Sequence, residues 1–146
     1  MITIKADTKK VERKIKILTD GVKDFKKPLK ESGEFATKEF YDNFSLIGSK
    51  FTKWKPLKAA TLAAKARLGQ PLTPLIGTGR MMKSFKLFKL ERFVVIVGNK
   101  VQDAYFKYHQ LGGRKIPKRV MIAINRSMSK KIIKIFNNYI KKLLEK

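Results

Sequence analysis

An α+β fold is what the sequence predicts: two N-terminal helices, a small antiparallel sheet with a central hairpin, and a long amphipathic C-terminal helix. Three observations carry this expectation. Apolar residues recur at helical spacing through the first 44 positions, SFKLFKLERFVVIVG reads as two strands joined by a turn, and SMSKKIIKIFNNYIKKLLE has one apolar and one lysine-rich face.

The elements follow in order. Residues 2–7 (ITIKAD) alternate apolar and polar, as a short strand does. A helix is expected from Lys9 to Lys27, where Val11, Ile15, Leu18, Val22 and Phe25 form one stripe suited to burial and Thr8 can cap the start. Gly21 weakens it. Pro28 should break it and begin a second helix, because proline is tolerated in a first turn. The second helix runs to Phe44, with Leu29, Ala36, Phe40 and Phe44 on one face. Gly33 leaves open whether the pair is a helical hairpin or one kinked helix.

Residues 45–75 read as an extended loop arm. SLIGSKFTKWKPLK carries large apolar anchors, Ala59–Arg67 is alanine-rich enough for a short helix, and GQPLTP is turn chemistry. A stretch of this length is more often a binding arm than filler. Residues 84–98 are expected to form the hairpin, and Asp103–Leu111 a short helix ended by Gly112 and Gly113. KRVMIAI can be a strand or an extended lead into the last helix, which spans Ser127–Glu145 (residues 127–145). Its apolar face collects Ile132, Ile133, Phe136, Tyr139, Ile140, Leu143 and Leu144. There is no internal repeat, and the chain is read as one domain over residues 1–146.

Composition narrows the function. Cysteine is absent, which removes disulfides and thiol catalysis, and one histidine with no cysteine cannot complete a zinc site within one chain. No apolar run approaches the roughly 20 residues needed to span a bilayer, and MITIKADTKK lacks the order of a signal peptide. A soluble, cytoplasmically made product is expected. The formal charge is +24 and its distribution is uneven. Residues 1–42 carry 11 basic and 8 acidic groups, a net +3; residues 43–146 carry 24 basic groups against Glu91, Asp103 and Glu145, a net +21. So one-sided a segment calls for an anionic neighbour, whether nucleic acid, an acidic protein or a membrane surface.

Enzymes are disfavoured. His109 is the only imidazole, no serine sits in a nucleophile elbow, and carboxylates after Asp42 are too sparse for paired acid–base or two-metal chemistry. No catalytic residue, metal or cofactor is expected. LIGTGR lacks the Lys-Ser/Thr ending of a phosphate-binding loop, so Gly77 and Gly79 are read as turn glycines with Thr78 bonding the backbone. Phe85, Phe88 and Phe93 lie among Lys83, Lys86, Lys89 and Arg92, a pattern shared with single-strand-binding sheets, but alternation places the phenylalanines in a core. RKIPKR supplies Arg114, Lys115, Lys118 and Arg119 for contact with DNA phosphates or an acidic partner. The basic last helix could lie on a membrane; packing inside the fold is the preferred use, and no membrane contact is expected.

An ordered series of phrases adds to this reading: Trp54, Pro56 and Leu57; Thr61 and Lys65; LIGTGR with Leu75, Gly77, Thr78, Gly79 and Arg80; VVIVG; AYFKYHQLG with Tyr105, His109, Gln110 and Gly112; then Ile116, Pro117 and Arg119. In order and spacing, from about Phe40 to Ile124, the series resembles the phage virion morphogenesis family, the Mu-like tail completion or neck proteins. It departs from the family pattern where Ala104 precedes Tyr105 and where Val120 and Met121 follow Arg119. The resemblance implies a non-enzymatic structural protein at the head–tail junction of the virion, assembled in the host cytoplasm. It implies a self-assembled ring, expected to be a hexamer, around the DNA path, with neck, tail-terminator, tube or head-completion proteins as neighbours. Under it, Trp54, Pro56 and Leu57 anchor the loop arm on their own domain or the next subunit, and His109 with Gln110 bonds across a helix end or interface. The alternative is a stand-alone basic nucleic-acid-binding protein.

Overall fold

The computed structural model describes residues 8–99, 105–113 and 115–145. Its elements are α1 (Thr8–Gly21), α2 (Lys26–Ser45), α3 (Ala59–Arg67), α4 (Arg80–Lys83), β1 (Phe85–Leu90), β2 (Val95–Asn99), α5 (Tyr105–Leu111) and α6 (Arg126–Leu144). The class is α+β, with a two-stranded antiparallel sheet and a long C-terminal helix. The strand expected over residues 2–7 lies outside the described residues. No described helix is long and apolar enough to cross a membrane.

The central element is α2, which packs against both strands and α6. Pro28, Ser32, Ala36, Phe40, Asn43 and Phe44 are buried along it at spacings of three and four, the geometry of one helical face. At Gly33, an open point in the sequence, the sheet packs close against the helix: a Cβ there would stand 2.8 Å from Val95 Cγ2 and 2.9 Å from Leu87 Cδ1. The core is aromatic. Phe44 lies edge-on to Trp54 at 5.2 Å and beside Phe85 at 5.6 Å, with Phe40 5.9 Å from Phe85. Met81, Met121 and Met128 complete it.

The break between the first two helices comes earlier than Pro28. α1 ends at Gly21, α2 begins at Lys26, and Pro28 lies inside the first turn of α2, where its missing N–H leaves no bond unmade. Long-range contacts set this boundary. Phe25 N donates to Arg92 O in the hairpin turn at 2.9 Å, and the Phe25 ring meets Phe93, Phe136 and Tyr139 at 5.7–6.2 Å.

The stripe on α1 is not buried as expected. Val11 is 57% and Ile15 56% exposed, and Val22 is exposed as well. α1 packs on α6 near its C-terminal end, where Tyr139 Oη donates to Gly21 O at 3.2 Å, so its first turns project past the core formed by the described residues. On α6 the buried positions are Met128 and Ile135, with Ile132, Tyr139 and Leu143 half-buried. Ile133 (58% exposed) and Leu144, assigned to the core face from sequence, lie outside it. The helix meets α2 and α1 along a seam narrower than its apolar surface. α6 also starts one residue early, at Arg126, because Asn125 caps it by accepting from Met128 N at 2.8 Å.

In the hairpin the pairing runs Phe85 to Asn99, Leu87 to Val97 and Leu90 to Val95, with an irregularity between Leu87 and Lys89. The extra residue there is Phe88, which turns the ring outward. Phe88 is thus 42% exposed with Lys86 Nζ 5.6 Å from its centroid, and Phe93, in the turn, is 62% exposed. Of the three phenylalanines expected in the core, Phe85 alone is buried.

Candidate functional site

The extended segment 119–122 leads toward α6, lies outside both strands, and has its backbone groups satisfied by side chains. Val120 O accepts from Trp54 Nε1 at 3.0 Å and from Asn43 Nδ2 at 3.1 Å. Gln110 Oε1 accepts from Met121 N at 2.7 Å and Ile122 N at 3.1 Å, while its Nε2 donates to Ile122 O at 2.8 Å. Arg119 N donates to His109 O at 2.7 Å. One tryptophan, one glutamine and one asparagine therefore take the place of a neighbouring strand, and Met121 is sealed beneath them.

Beside this junction lies an open groove of about 830 Å³. Residues 55–58 and Thr61 form one wall; His109, Gly113, residues 115–117 and Arg119 form the other. Gly112 makes the second wall possible. It ends α5 at φ +80°, its N–H donates to Tyr108 O at 2.8 Å, and a Cβ there would stand 3.0 Å from Lys118 Cβ. Lys55, Lys58, Lys115 and Arg119 line the groove, and no carboxylate does so among the described residues.

Arg119 differs from the other cations in being 5% exposed. Its Nη2 donates to Lys55 O at 3.1 Å, and its buried Nε has no acceptor among the described residues. Burial lowers its pKa from the usual arginine value, although a guanidinium stays charged throughout the working range of proteins. His109 has its pKa lowered by burial and, secondarily, by the Arg119 charge, so it is a neutral imidazole at pH 7.

The structure brings together Pro56, Leu57, Thr61, His109, Pro117 and Arg119 from two separated stretches of the chain, along with Lys115. Trp54 and Gln110 stand behind them in the junction. Lys118 is exposed outside the groove lining, Arg114 lies outside the described residues, and Tyr105 opens α5. Arg119, expected as a surface cation, is instead recessed, because its main chain belongs to the bonded segment.

The LIGTGR phrase lies apart from the groove. Lys65, half-buried on α3, donates from Nζ to Thr73 O at 3.0 Å and to Ile76 O, and burial lowers its pKa. Leu75 (φ +62°) and Gly79 (φ +77°) reverse the chain, and Leu75 packs on the core. Thr78 Oγ1 is 3.5 Å from Arg80 N, at the limit of a hydrogen bond. Gly77 faces the Gln70 side chain, with no left-handed backbone. α3 buries none of its residues, so the arm is pinned at Trp54 and by Lys65 while α3 stays on the surface.

Sequence reading missed Asn43 and Asn125. Asn43 is a polar residue on an apolar helical face, a recognisable signal, and Asn125 sits at an N-cap position, where it also donates to Lys50 O at 2.9 Å. Among the described residues, no three His, Asp or Glu side chains gather as a metal site would require. No family model, curated protein or solved structure matches the chain. The site is thus a groove with apolar walls, a lysine rim and a recessed guanidinium.

Proposed function

We propose that this chain is a structural virion-assembly protein of a tailed phage, completing the tail or neck and joining it to the head as a ring around the DNA path. The observation that carries this reading is the work done by the residues of the ordered phrases. Trp54, Lys65, Gln110 and Arg119 each direct polar atoms to carbonyls or amides of the chain's own loops. Side chains used in this way hold loops in place, as a structural protein requires. The ring, expected to be hexameric, would bring together copies carrying +24 each, so its neighbours must supply negative charge, from DNA or from acidic neck, terminator, tube or head-completion proteins.

Electron microscopy of particles made without this protein tests the proposal. Separate filled heads and finished tails are the expected result; normal virions would sink it.

One observation favours a second reading, a stand-alone basic nucleic-acid-binding protein: residues 43–146 carry 24 basic groups against three acidic ones. That version requires duplex DNA to be retained at low salt, with affinity falling steeply as salt rises. No retention at low salt would remove it.

A further inference from the structure

We infer that the groove lined by residues 55–58 and Thr61 on one side and by His109, residues 115–117 and Arg119 on the other is a docking site for an extended acidic segment of a partner protein, whose carboxylate pairs with the recessed Arg119 guanidinium. The inference rests on the assembly reading only in making that partner a neighbouring virion protein.

Four observations converge on it. Arg119 is nearly inaccessible from outside yet lines the groove, and none of the ion pairs among the described residues includes it. Among the described residues its guanidinium makes one hydrogen bond, to Lys55 O, and Nε has no acceptor. A buried cation without a counter-charge is destabilising, and a planar guanidinium with unused donors matches a carboxylate in geometry and in charge. The rim adds Lys55, Lys58 and Lys115 with no acidic residue among the described lining, so every charged side chain there attracts the same kind of ligand.

The walls decide between protein and nucleic acid. Pro56, Leu57, Ile116 and Pro117 offer apolar surface in the same groove as the guanidinium, suited to aliphatic side chains flanking an acid. Neither phenylalanine, tyrosine nor tryptophan is present among the described lining residues to stack a base. Exposed lysines elsewhere remain free to meet DNA without entering it.

The test uses the full chain and a short blocked peptide alternating glutamate with leucine, fluorescently labelled, at physiological ionic strength. Saturable binding is expected, accompanied by a shift of the Arg119 Nε–Hε signal in NMR spectra. The glutamine version of the peptide should not bind. Lys58→Glu with Lys115→Glu, both exposed, should weaken binding about tenfold or more, whereas Lys130→Glu with Lys134→Glu, the same charge change on exposed positions of α6, should alter it less than about twofold. Arg119→Lys, checked for folding by its amide spectrum, should also weaken binding, because it keeps the charge and loses the planar fork. Equal losses from both lysine pairs, equal binding of the glutamine peptide, no saturable binding, or an Arg119 signal that moves with duplex DNA alone would overturn the inference. None of these outcomes bears on whether particles lacking the protein fail to join, so the two proposals fail separately.

Discussion

Trp54 and Val120, 66 positions apart, are joined by a 3.0 Å hydrogen bond from the indole Nε1 to the Val120 carbonyl. The same indole stands edge-on to Phe44 at the end of α2. One side chain thus ties the start of the arm to the core and to the segment that forms the floor beside the groove. Trp54→Phe keeps an aromatic ring and removes the donor. Urea unfolding should show a loss of about 1–2 kcal/mol, and Trp54→Ala, which opens a cavity beside Phe44, a loss of roughly 3–5 kcal/mol. A phenylalanine variant as stable as the parent would mean that ring packing alone holds the arm.

Gln110 uses both ends of its amide on Met121 and Ile122. Gln110→Met leaves two amides and one carbonyl without their partner, and a stability loss of about 3 kcal/mol or more is expected. Gln110→Glu keeps the acceptor and should lose less. Hydrogen exchange at the Met121 and Ile122 amides should accelerate strongly in the methionine variant; unchanged exchange there would contradict the arrangement.

Lys65 staples α3 to the loop ahead of α4 through the Thr73 and Ile76 carbonyls. Lys65→Met keeps the aliphatic stem and deletes the donors. The expected effect is local: trypsin should cut after the exposed Arg67 faster, with a global stability change of about 1–2 kcal/mol. Equal cleavage rates in parent and variant would show that Pro74 and Leu75 hold the loop without the ammonium.

His109 gives a pH signature. Burial, aided by the neighbouring Arg119 charge, holds its imidazole below the ordinary value of 6.5. As pH falls through 6.5 the unfolded chain takes up a proton before the folded one, so stability should decline from there toward the folded pKa and level off below it. His109→Gln should flatten that part of the profile. In the parent, an NMR titration of the ring should give a midpoint below 6.5; a midpoint above it would refute the environment described.

Part of the fold was legible because it is local. Alanine content alone marks Ala59–Arg67, and Ala36, Phe40 and Phe44 repeat at helical spacing on a face that proves buried. The hairpin shows in FVVIVG and the turn before it. The register at Phe88 was not legible, because a bulge changes which face a side chain takes without changing composition. The exposure of the α1 stripe was not legible for a related reason: amphipathicity says that a helix has an apolar side, and only its neighbours decide how much of that side is covered.

The sequence by itself determined the α+β class, most of the helices, the hairpin, the one-sided charge and the residues of the ordered phrases, since each depends on spacing or composition within a short stretch. The tertiary structure alone decided that Trp54, Asn43 and Gln110 meet on one irregular segment, that Arg119 is recessed and Lys115 exposed, and that two stretches of chain about fifty residues apart form the walls of one groove. Those outcomes depend on which backbone groups need partners after the helices and strands have formed, and that need arises only when distant segments are packed together.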